Sequence, residues 1–261
     1  PLERADADAT RSADVHLVIR GLAPVTRTGG QRHVLWIISH PETVTNAECD
    51  AADLVLVASP HFAEHLRTRT RTPVEVMLQA TDAERFFPHP PDPGRAHEVV
   101  IVAKSRGVHR RMVADAVAAG LRPAIYGSGW EHLVDPSLVV ADGVDNADLP
   151  SLYSSAGVVL NDHWDDMREW GFVSNRIFDV LACGTPVISD PVPGLHDLFG
   201  DAVVTVEDAT TLRLAVAAIL ADPAEARVRA GHGGDVVRSA HTFDHRAAQL
   251  LETLARLGLS D

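Results

Sequence analysis

The sequence predicts an α/β protein with two domains, each built around a parallel β-sheet. Short apolar runs typical of buried strands alternate with amphipathic stretches typical of helices along most of the chain. The alternation is interrupted at residues 88–95, which read PHPPDPGR, and then restarts. Because so many prolines exclude both helix and sheet, this segment is predicted to be a stiff linker between the domains.

The first domain is predicted from four apolar runs. They span residues 15–19, 34–38, 54–58 and 74–78. A short helix is predicted at 45–51, and a second helix opens with Ser59 as its N-cap and Pro60 at its first position. A complete nucleotide-binding α/β domain usually has more strands than this. The sequence therefore predicts that the chain begins inside its first domain, or that this domain is reduced.

The second domain continues the pattern after the linker. Strands are predicted at 99–103, 123–126, 138–141, 157–160, 186–189 and 202–206. Helices are predicted at 110–119, at 149–155, from Ser174 onward, in a short stretch ending at Phe199, at 210–220, 224–239 and 245–257. Residues 161–173 are predicted to be a polar loop with several aromatic side chains. The predicted domains are 1–90 and 91–240, followed by a C-terminal helix at 241–261.

Composition excludes several classes of function. Among 261 residues, 36 acidic side chains outweigh 23 lysines and arginines, and the formal charge of −13 argues against a nucleic-acid or anionic-membrane surface. No apolar run is long enough to span a bilayer, and the acidic N-terminus PLERADADATRSAD is unlike a signal peptide. Two cysteines, Cys49 and Cys183, predict a reducing, cytoplasmic setting. The preference for arginine over lysine, with abundant alanine and valine, indicates a bacterial coding bias.

No metal site is predicted. Fourteen histidines occur, but His61 and His65, the pair nearest to metal-ligand spacing, have only Glu64 beside them.

The most informative stretch is the helix that starts at Ser174. Ser174 is a good N-cap, and the backbone amides at Asn175 and Arg176 together with the helix dipole favour an anion such as phosphate. The guanidinium of Arg176 suits phosphate oxygens. Asp179 shares the same helix face and suits ribose hydroxyls. The alternative is an ordinary capped helix with a surface pair between Arg176 and Asp179, and spacing alone leaves both open.

Two further loops follow predicted strands and carry polar groups. They contain Lys104, Ser105 and Arg106 in the first loop, and Gly127, Ser128 and Trp130 in the second. Because the carboxyl ends of parallel strands meet at one edge, these loops are expected to join the Ser174 helix around a phosphate-bearing ligand. Each loop taken alone is also compatible with an ordinary surface turn.

Candidates for catalysis lie beside these loops. Asp162 and His163 precede Trp164 at the same predicted edge and could bind sugar hydroxyls or an acceptor. His40 follows a strand of the first domain and could act as an acid, a base or a hydroxyl partner. A solvated acidic loop, and a histidine that merely ends a strand before Pro41, are the alternatives.

The stretch NDHWDDMREWGFVSNRIFDVLACGTPVISD resembles the donor-binding half of GT-B glycosyltransferases (glycosyl transferases group 1). It is similar more narrowly to bacterial family-4-like and CgeB-like proteins, in which a Ser-Asn-Arg-x-x-(Asp/Glu) helix precedes Ala-Cys-Gly-x-Pro-Val-Ile. Further segments agree, including VLWIISHPETVT, LVLVASPHFAEHL, AKSRGVHRRMVADAV and HTFDHRAAQLLETL. The resemblance covers most of the chain.

The resemblance implies a GT-B-type α/β fold, in which two Rossmann-like domains with parallel sheets face a cleft. It implies that the second domain holds a nucleotide-diphosphate sugar, that the acceptor meets the first, and that the last helix crosses back to the first. It also implies transfer with retention at the anomeric carbon and no bound metal or cofactor, since arginines and a helix dipole offset the leaving diphosphate.

The resemblance also implies a role for each candidate residue. Arg106 and Arg176 would bind the diphosphate with the amides of the Ser174 helix, and Asp179 would bind the ribose. Gly127, Ser128 and Trp130 would lie near the base, and Asp162 and His163 near the sugar.

The chain departs from the family pattern in two places. Trp170 stands where a glutamate usually precedes Gly-Phe, and Asp179 stands where a second glutamate is usual. The Gly-containing loop that normally opens the first domain is missing. The donor nucleotide, the acceptor (a glycan, a protein or a small molecule) and the oligomeric state stay open. Two alternative functions also stay open: a non-catalytic nucleotide-sugar-binding module in spore-coat or envelope assembly, and a nucleotide-sugar epimerase.

Overall fold

The computed structural model describes residues 14–27 and 29–259. The acidic N-terminal segment that is unlike a signal peptide lies almost wholly outside these residues. The strands are β1 Val15–Arg20, β2 Arg32–Ile37, β3 Leu54–Val57, β4 Val74–Val76, β5 Val99–Val102, β6 Ala124–Tyr126, β7 Val139–Ala141, β8 Val158–Asn161, β9 Val187–Ser189 and β10 Val203–Thr205.

Besides four short 3-10 helices, the described residues form ten α-helices. They are α1 Asn46–Asp50, α2 Pro60–Arg67, α3 Arg111–Ala118, α4 Leu149–Ser155, α5 Asp165–Trp170, α6 Asn175–Ala182, α7 Leu195–Phe199, α8 Ala209–Ala221, α9 Pro223–Ala240 and α10 Phe243–Leu257. Within the described part of the chain, no helix combines the length and the apolar character needed to cross a membrane.

The chain forms two compact units. The first contains the described residues up to Gln79, the segment Trp164–Phe172 and the described residues from Asp244 onward. The second contains Ala80–His163 and Val173–Phe243. The domain boundaries at 90 and 240 remain predictions.

The first unit is organised on a parallel sheet with the strand order β1-β2-β3-β4 among the described residues. Side chains alternate between its two faces, as the period of a strand requires. Leu35 and Ile37 pack in the core that α2 covers, whereas Trp36 packs on the opposite face with Leu254 of α10. Arg246 of α10 donates to the carbonyl oxygen of Leu78 at 2.7 Å, which ties this helix to the end of β4.

The second unit is organised on a parallel sheet with the order β10-β9-β8-β5-β6-β7 among the described residues. Val100 and Val159 pack with Phe178 of α6 on one face, and Ile101 and Leu160 pack in the core of the other. The chain runs outward from β5 through β6 and β7, then resumes on the other side of β5 with β8. Ligands of open α/β sheets bind at such a reversal, outside the carboxyl ends of the strands.

The prediction of a loop across residues 161–173 is wrong in part, because Asp165–Trp170 form α5. Two acidic side chains in its first turn favour the positive end of the helix dipole, and Gly171 ends it with a φ of 74°. Met167 and Phe172 are buried in the core of the first unit. This short helix is stabilised by packing, which local periodicity does not reveal.

Candidate functional site

Two of the predicted loops are hydrogen-bonded to each other at the carboxyl ends of β5 and β6. The backbone N–H of Ser105 donates to the carbonyl oxygen of Ser128 at 3.1 Å, and its hydroxyl donates to the carbonyl of Gly129. The indole N–H of Trp130 donates to the carbonyl oxygen of Ala103 at 2.8 Å, and Trp130 is only 1% exposed. Ser105 and Trp130 therefore hold the two loops in place, and their contact with a ligand remains a prediction.

Lys104 and Arg106 flank Ser105 and are both exposed. Arg106 has a φ of 56°, in the left-handed region that a non-glycine side chain seldom adopts. Backbone strain of this kind concentrates at functional sites, where the surrounding structure maintains it. The contact of Arg106 with a ligand remains a prediction.

The amino end of α6 is built as the sequence predicts for a capped helix. The Ser174 hydroxyl accepts the backbone N–H of Arg176 at 3.3 Å. The guanidinium of Arg176 donates to the side-chain oxygen of Asn161 at 2.7 Å, and the amide group of Asn161 donates to the Ser189 hydroxyl at 3.0 Å. The ends of β8 and β9 thus orient Arg176 beside the first turn of α6.

His163 connects the same strand ends to the helix start. Its Nδ1 lies 2.6 Å from a carboxylate oxygen of Asp190, and its Nε2 lies 2.9 Å from the backbone nitrogen of Ser174. Because a backbone N–H can only donate, Nε2 accepts and the proton lies on Nδ1. Both ring nitrogens are thereby used inside the protein. This geometry favours His163 as a residue that positions α6, and its predicted catalytic role is untested.

Asp162 is neutralised by a residue that the sequence analysis did not single out. Arg110, at the start of α3, donates from Nε to the Asp162 carboxylate at 3.2 Å and from Nη2 to its carbonyl oxygen at 3.3 Å. Asp162 is buried. A sugar hydroxyl would therefore meet an ion pair at this position, not an isolated carboxylate.

Asp179 is buried, which rules out the alternative of a surface pair with Arg176. One carboxylate oxygen accepts the Thr81 hydroxyl at 2.6 Å, and the other accepts the side-chain amide of Asn175 at 3.3 Å. Burial raises the pKa of Asp179 to about 7, although the Thr81 hydrogen bond and the charge of Arg176 oppose the rise. Its contact with ribose remains a prediction.

The raised pKa of Asp179 predicts a pH dependence of stability. Between about pH 4 and pH 7, the native state keeps this proton and the unfolded chain releases it. The stabilisation is therefore complete below pH 4 and is lost as the pH rises through 7. We expect the free energy of unfolding to fall between pH 5 and pH 8 by about 2 kcal/mol more in the wild type than in Asp179→Asn. Urea unfolding at both pH values measures this difference, and parallel pH profiles would contradict it.

His40 lies in the first unit, apart in sequence from the other candidates. It has a φ of 52°, and its Nδ1 is 3.9 Å from a carboxylate oxygen of Asp166. Its ring also contacts Trp164, with ring centroids 6.0 Å apart. The left-handed backbone and the acidic neighbour are compatible with a functional histidine, and the catalytic role remains a prediction.

Two cavities border the loops of the second unit. The larger, about 550 Å³, is lined by Lys104, by Tyr126 at the end of β6, by Arg95, and by the segment that follows β7. The smaller, about 200 Å³, is bordered by Gly127 and Trp130. Both volumes are open to ligands, and the larger falls in the range typical of small-molecule sites.

Several polar residues of this site escaped the sequence analysis. They are Thr81, Arg110, Asn161, Ser189 and Asp190. A usable signal was present for three of them, because Asn161, Ser189 and Asp190 are polar residues at the carboxyl ends of otherwise apolar strands. Thr81 and Arg110 give no such signal, since their partners are distant in sequence.

Comparisons with known proteins agree with the fold. A family model described as glycosyl transferase-like matches residues 106–252, which is more than half of the chain. No curated protein matches the chain by sequence.

Solved structures with the same fold are GT-B glycosyltransferases. Sucrose-phosphate synthase from Thermosynechococcus elongatus is 20% identical with a TM-score of 0.65, over 89% of this chain and 69% of that one. HepE from Anabaena, in complex with UDP and glucose, is 15% identical with a TM-score of 0.67, over 86% of this chain and 72% of that one. The pneumococcal O-GlcNAc transferase GtfA, in complex with UDP and GlcNAc, is 14% identical with a TM-score of 0.60, over 88% of this chain and 53% of that one.

Proposed function

This chain belongs to the glycosyl transferase-like family, and on that premise we propose that it transfers a sugar from a nucleotide-diphosphate sugar to an acceptor. The observation that carries the proposal is the start of α6. There a capped helix terminus and the oriented guanidinium of Arg176 lie together at the carboxyl edge of the second sheet. Such an edge suits a diphosphate. The structures of HepE with UDP-glucose and with UDP and glucose, and of GtfA with UDP and GlcNAc, support the same class of substrate.

The proposed reaction develops negative charge beside Arg176 and the amino end of α6. The bond between the anomeric carbon and the diphosphate oxygen breaks, a bond from the anomeric carbon to the acceptor oxygen forms, and the proton of the acceptor hydroxyl passes to an oxygen of the leaving diphosphate. Negative charge develops on the leaving diphosphate. Arg176, Arg106 and the amides of α6 stabilise it, which is why we propose transfer without a metal ion. Retention at the anomeric carbon is proposed on the family-4 likeness.

The remaining donor contacts follow from the positions of the cavity and the buried acid. We assign the nucleoside to the cavities beside Lys104 and beside Gly127 and Trp130, and the ribose hydroxyls to Asp179 with the loss of one of its present hydrogen bonds. We assign His40 to the acceptor, as an acid, a base or a hydrogen-bond partner of its hydroxyl group. Cys49 and Cys183 are both free and buried, which supports a reducing, cytoplasmic setting.

A donor screen followed by a turnover assay tests this function. The full chain is heated with UDP-, GDP-, ADP- and dTDP-sugars, and a true donor at about a hundred times its dissociation constant should stabilise the fold by about 2.7 kcal/mol. The stabilising donor is then incubated with candidate acceptors. Transferase activity predicts free nucleoside diphosphate and a glycosylated acceptor. Free nucleotide with an altered sugar would indicate an epimerase, and binding without turnover would indicate a binding module. Absence of binding to every donor would contradict the proposal.

A further inference from the structure

We propose that Asp190 is a positioning residue for sugar transfer, which orients both the amino end of α6 and the guanidinium of Arg176 toward the donor diphosphate. The inference rests on the proposed function and adds to it a residue that touches neither donor nor acceptor. It is carried by a closed ring of hydrogen bonds at the carboxyl ends of β8 and β9, which we call the polar ring. The members of the polar ring are Asn161, His163, Ser174, Arg176, Ser189 and Asp190.

The first arm of the polar ring runs from Asp190 to the backbone of Ser174. Because the Ser174 N–H can only donate, its 2.9 Å contact makes Nε2 of His163 an acceptor. The proton of the neutral ring is then on Nδ1, which donates to Oδ1 of Asp190 at 2.6 Å. The other oxygen of Asp190 accepts the backbone N–H of His163 at 3.2 Å. Asp190 therefore fixes the tautomer and the orientation of the His163 ring, and through that ring the position of Ser174.

The second arm runs from Asp190 to the guanidinium of Arg176. Since the side-chain oxygen of Asn161 accepts from Arg176 at 2.7 Å, its amide nitrogen is directed to the Ser189 hydroxyl, at 3.0 Å. The hydroxyl accepts this bond and donates its own proton to Oδ1 of Asp190 at 3.1 Å. Each donor direction follows from the one before it. Both arms end on the same carboxylate oxygen.

The backbone N–H of Asn175 is the donor that the polar ring leaves for a ligand. The N–H of Ser174 is used by His163, and the N–H of Arg176 donates to the Ser174 hydroxyl at 3.3 Å. Within residues 14–27 and 29–259, the Asn175 N–H has no hydrogen-bond partner, and Asn175 is exposed. The polar ring therefore holds one open amide and one guanidinium on consecutive residues at a helix start, and an anion such as a diphosphate suits that arrangement.

Stability alone does not account for the polar ring. Asn161 and Ser189 are fully buried, and Asp190 is 3% exposed. Burial raises the pKa of Asp190, but the hydrogen bonds from His163 and Ser189 outweigh it and hold this pKa below its usual range. Asp190 is therefore a buried carboxylate at neutral pH. A buried charged network is often no more stabilising than an apolar core of the same volume. Its cost indicates that the network serves the site beside it.

Asp190→Asn tests the proposal, because it keeps the shape of the side chain and removes the charge and one acceptor. The carboxylate is surrounded by three donors, which are the backbone N–H and Nδ1–H of His163 and the Ser189 hydroxyl. The amide group of an asparagine would have to face at least one of them.

Calorimetric titration of the full chain with UDP, GDP, ADP and dTDP identifies the tightest binder, which is then used for the variants. Asp190→Asn should bind it at least about tenfold more weakly, the lower end of what the loss of such supporting hydrogen bonds costs at metal sites. Asp135→Asn is the matched control. It removes a carboxylate that accepts the backbone N–H of Ser137 at 2.9 Å in the same unit, and it should bind like the wild type.

Two further readouts distinguish positioning from a general loss of stability. Nitrogen-15 NMR of the histidine rings of the wild type should show the Nδ1–H tautomer for His163, assigned by the loss of its signals in His163→Gln. The effect of Asp190→Asn on binding should be smaller when Arg176→Ala is also present, because both substitutions act on the same guanidinium.

Several outcomes would overturn the proposal. They are a folded Asp190→Asn variant that binds within about twofold of the wild type, a His163 proton on Nε2, and additive effects of Asp190→Asn and Arg176→Ala. If melting temperatures show that Asp190→Asn is not folded, Ser189→Ala decides, because it breaks only the second arm. Ser189→Ala should bind about fivefold more weakly, the equivalent of one hydrogen bond, and wild-type affinity would overturn the proposal.

Failure of the wild type to bind any of the four nucleotides would count against the proposed function itself. The tautomer of His163 in the free protein tests the polar ring without a ligand, so the two failures are distinguishable.

Discussion

Arg176→Ala is expected to weaken donor binding at least about a hundredfold. The guanidinium lies on the first turn of α6 and is oriented by Asn161 at 2.7 Å. Each charge-assisted hydrogen bond that it makes to a diphosphate contributes about 1.5–3 kcal/mol. The loss of two such bonds therefore costs about 3 kcal/mol or more, which corresponds to at least a hundredfold. Calorimetry with the stabilising nucleoside diphosphate measures the change.

Two further variants separate this effect from a general loss of positive charge. Arg176→Lys keeps the charge but not the planar fork, and it should bind with intermediate affinity. Arg229→Ala removes a half-buried arginine of α9 that pairs with Glu225 at 3.9 Å in the same unit, and it should bind like the wild type. If Arg176→Ala is folded and binds within twofold of the wild type, the donor site is assigned to the wrong residues.

Gly127→Ala is expected to destabilise the second unit by about 3 kcal/mol or more. A Cβ at this position would lie 2.0 Å from the carbonyl oxygen of Ala103 and 2.5 Å from its carbonyl carbon. These are backbone atoms at the end of β5. The same backbone segment is hydrogen-bonded to β6, because the Ala103 N–H donates to the carbonyl oxygen of Tyr126 at 2.9 Å. The clash can be relieved only by separating β5 from β6. The expected loss of stability therefore lies at the upper end of the range measured for overpacked cores.

Gly231→Ala is the matched control for this prediction. Gly231 lies inside α9, and a Cβ there would have nothing within 4 Å. Because alanine is the better helix former, this variant should be more stable than the wild type by up to about 1 kcal/mol. Urea unfolding of both variants gives the comparison. Equal stability of Gly127→Ala and the wild type would show that the backbone of Gly127 is not held this close to Ala103.

The fold could be predicted because its central strands are buried on both faces. Runs such as Leu54–Val57 and Val99–Val102 are continuously apolar, which is typical of parallel sheets between helices. The start of α6 was predicted from Ser174 for an equally local reason. By contrast, α5 reads DDMREW and has little apolar periodicity. It is a helix because Met167 packs against a core formed by distant segments.

The site was less predictable because its contacts connect residues that are far apart in sequence. Thr81 and Asp179 are 98 residues apart, and Arg110 and Asp162 are 52 apart. Local spacing identifies a capped helix with an arginine and an acid on one face, but it does not show that the acid is buried or that Asp162 is paired. Those properties depend on which strands become neighbours in the sheet.

The position of the diphosphate in a crystal structure of the donor complex tests the central claim most directly. We expect phosphate oxygens within about 3 Å of both a guanidinium nitrogen of Arg176 and a first-turn amide of α6. A diphosphate bound elsewhere, with the Arg176 guanidinium still held by Asn161 and the start of α6 closed by the protein's own side chains, would contradict it.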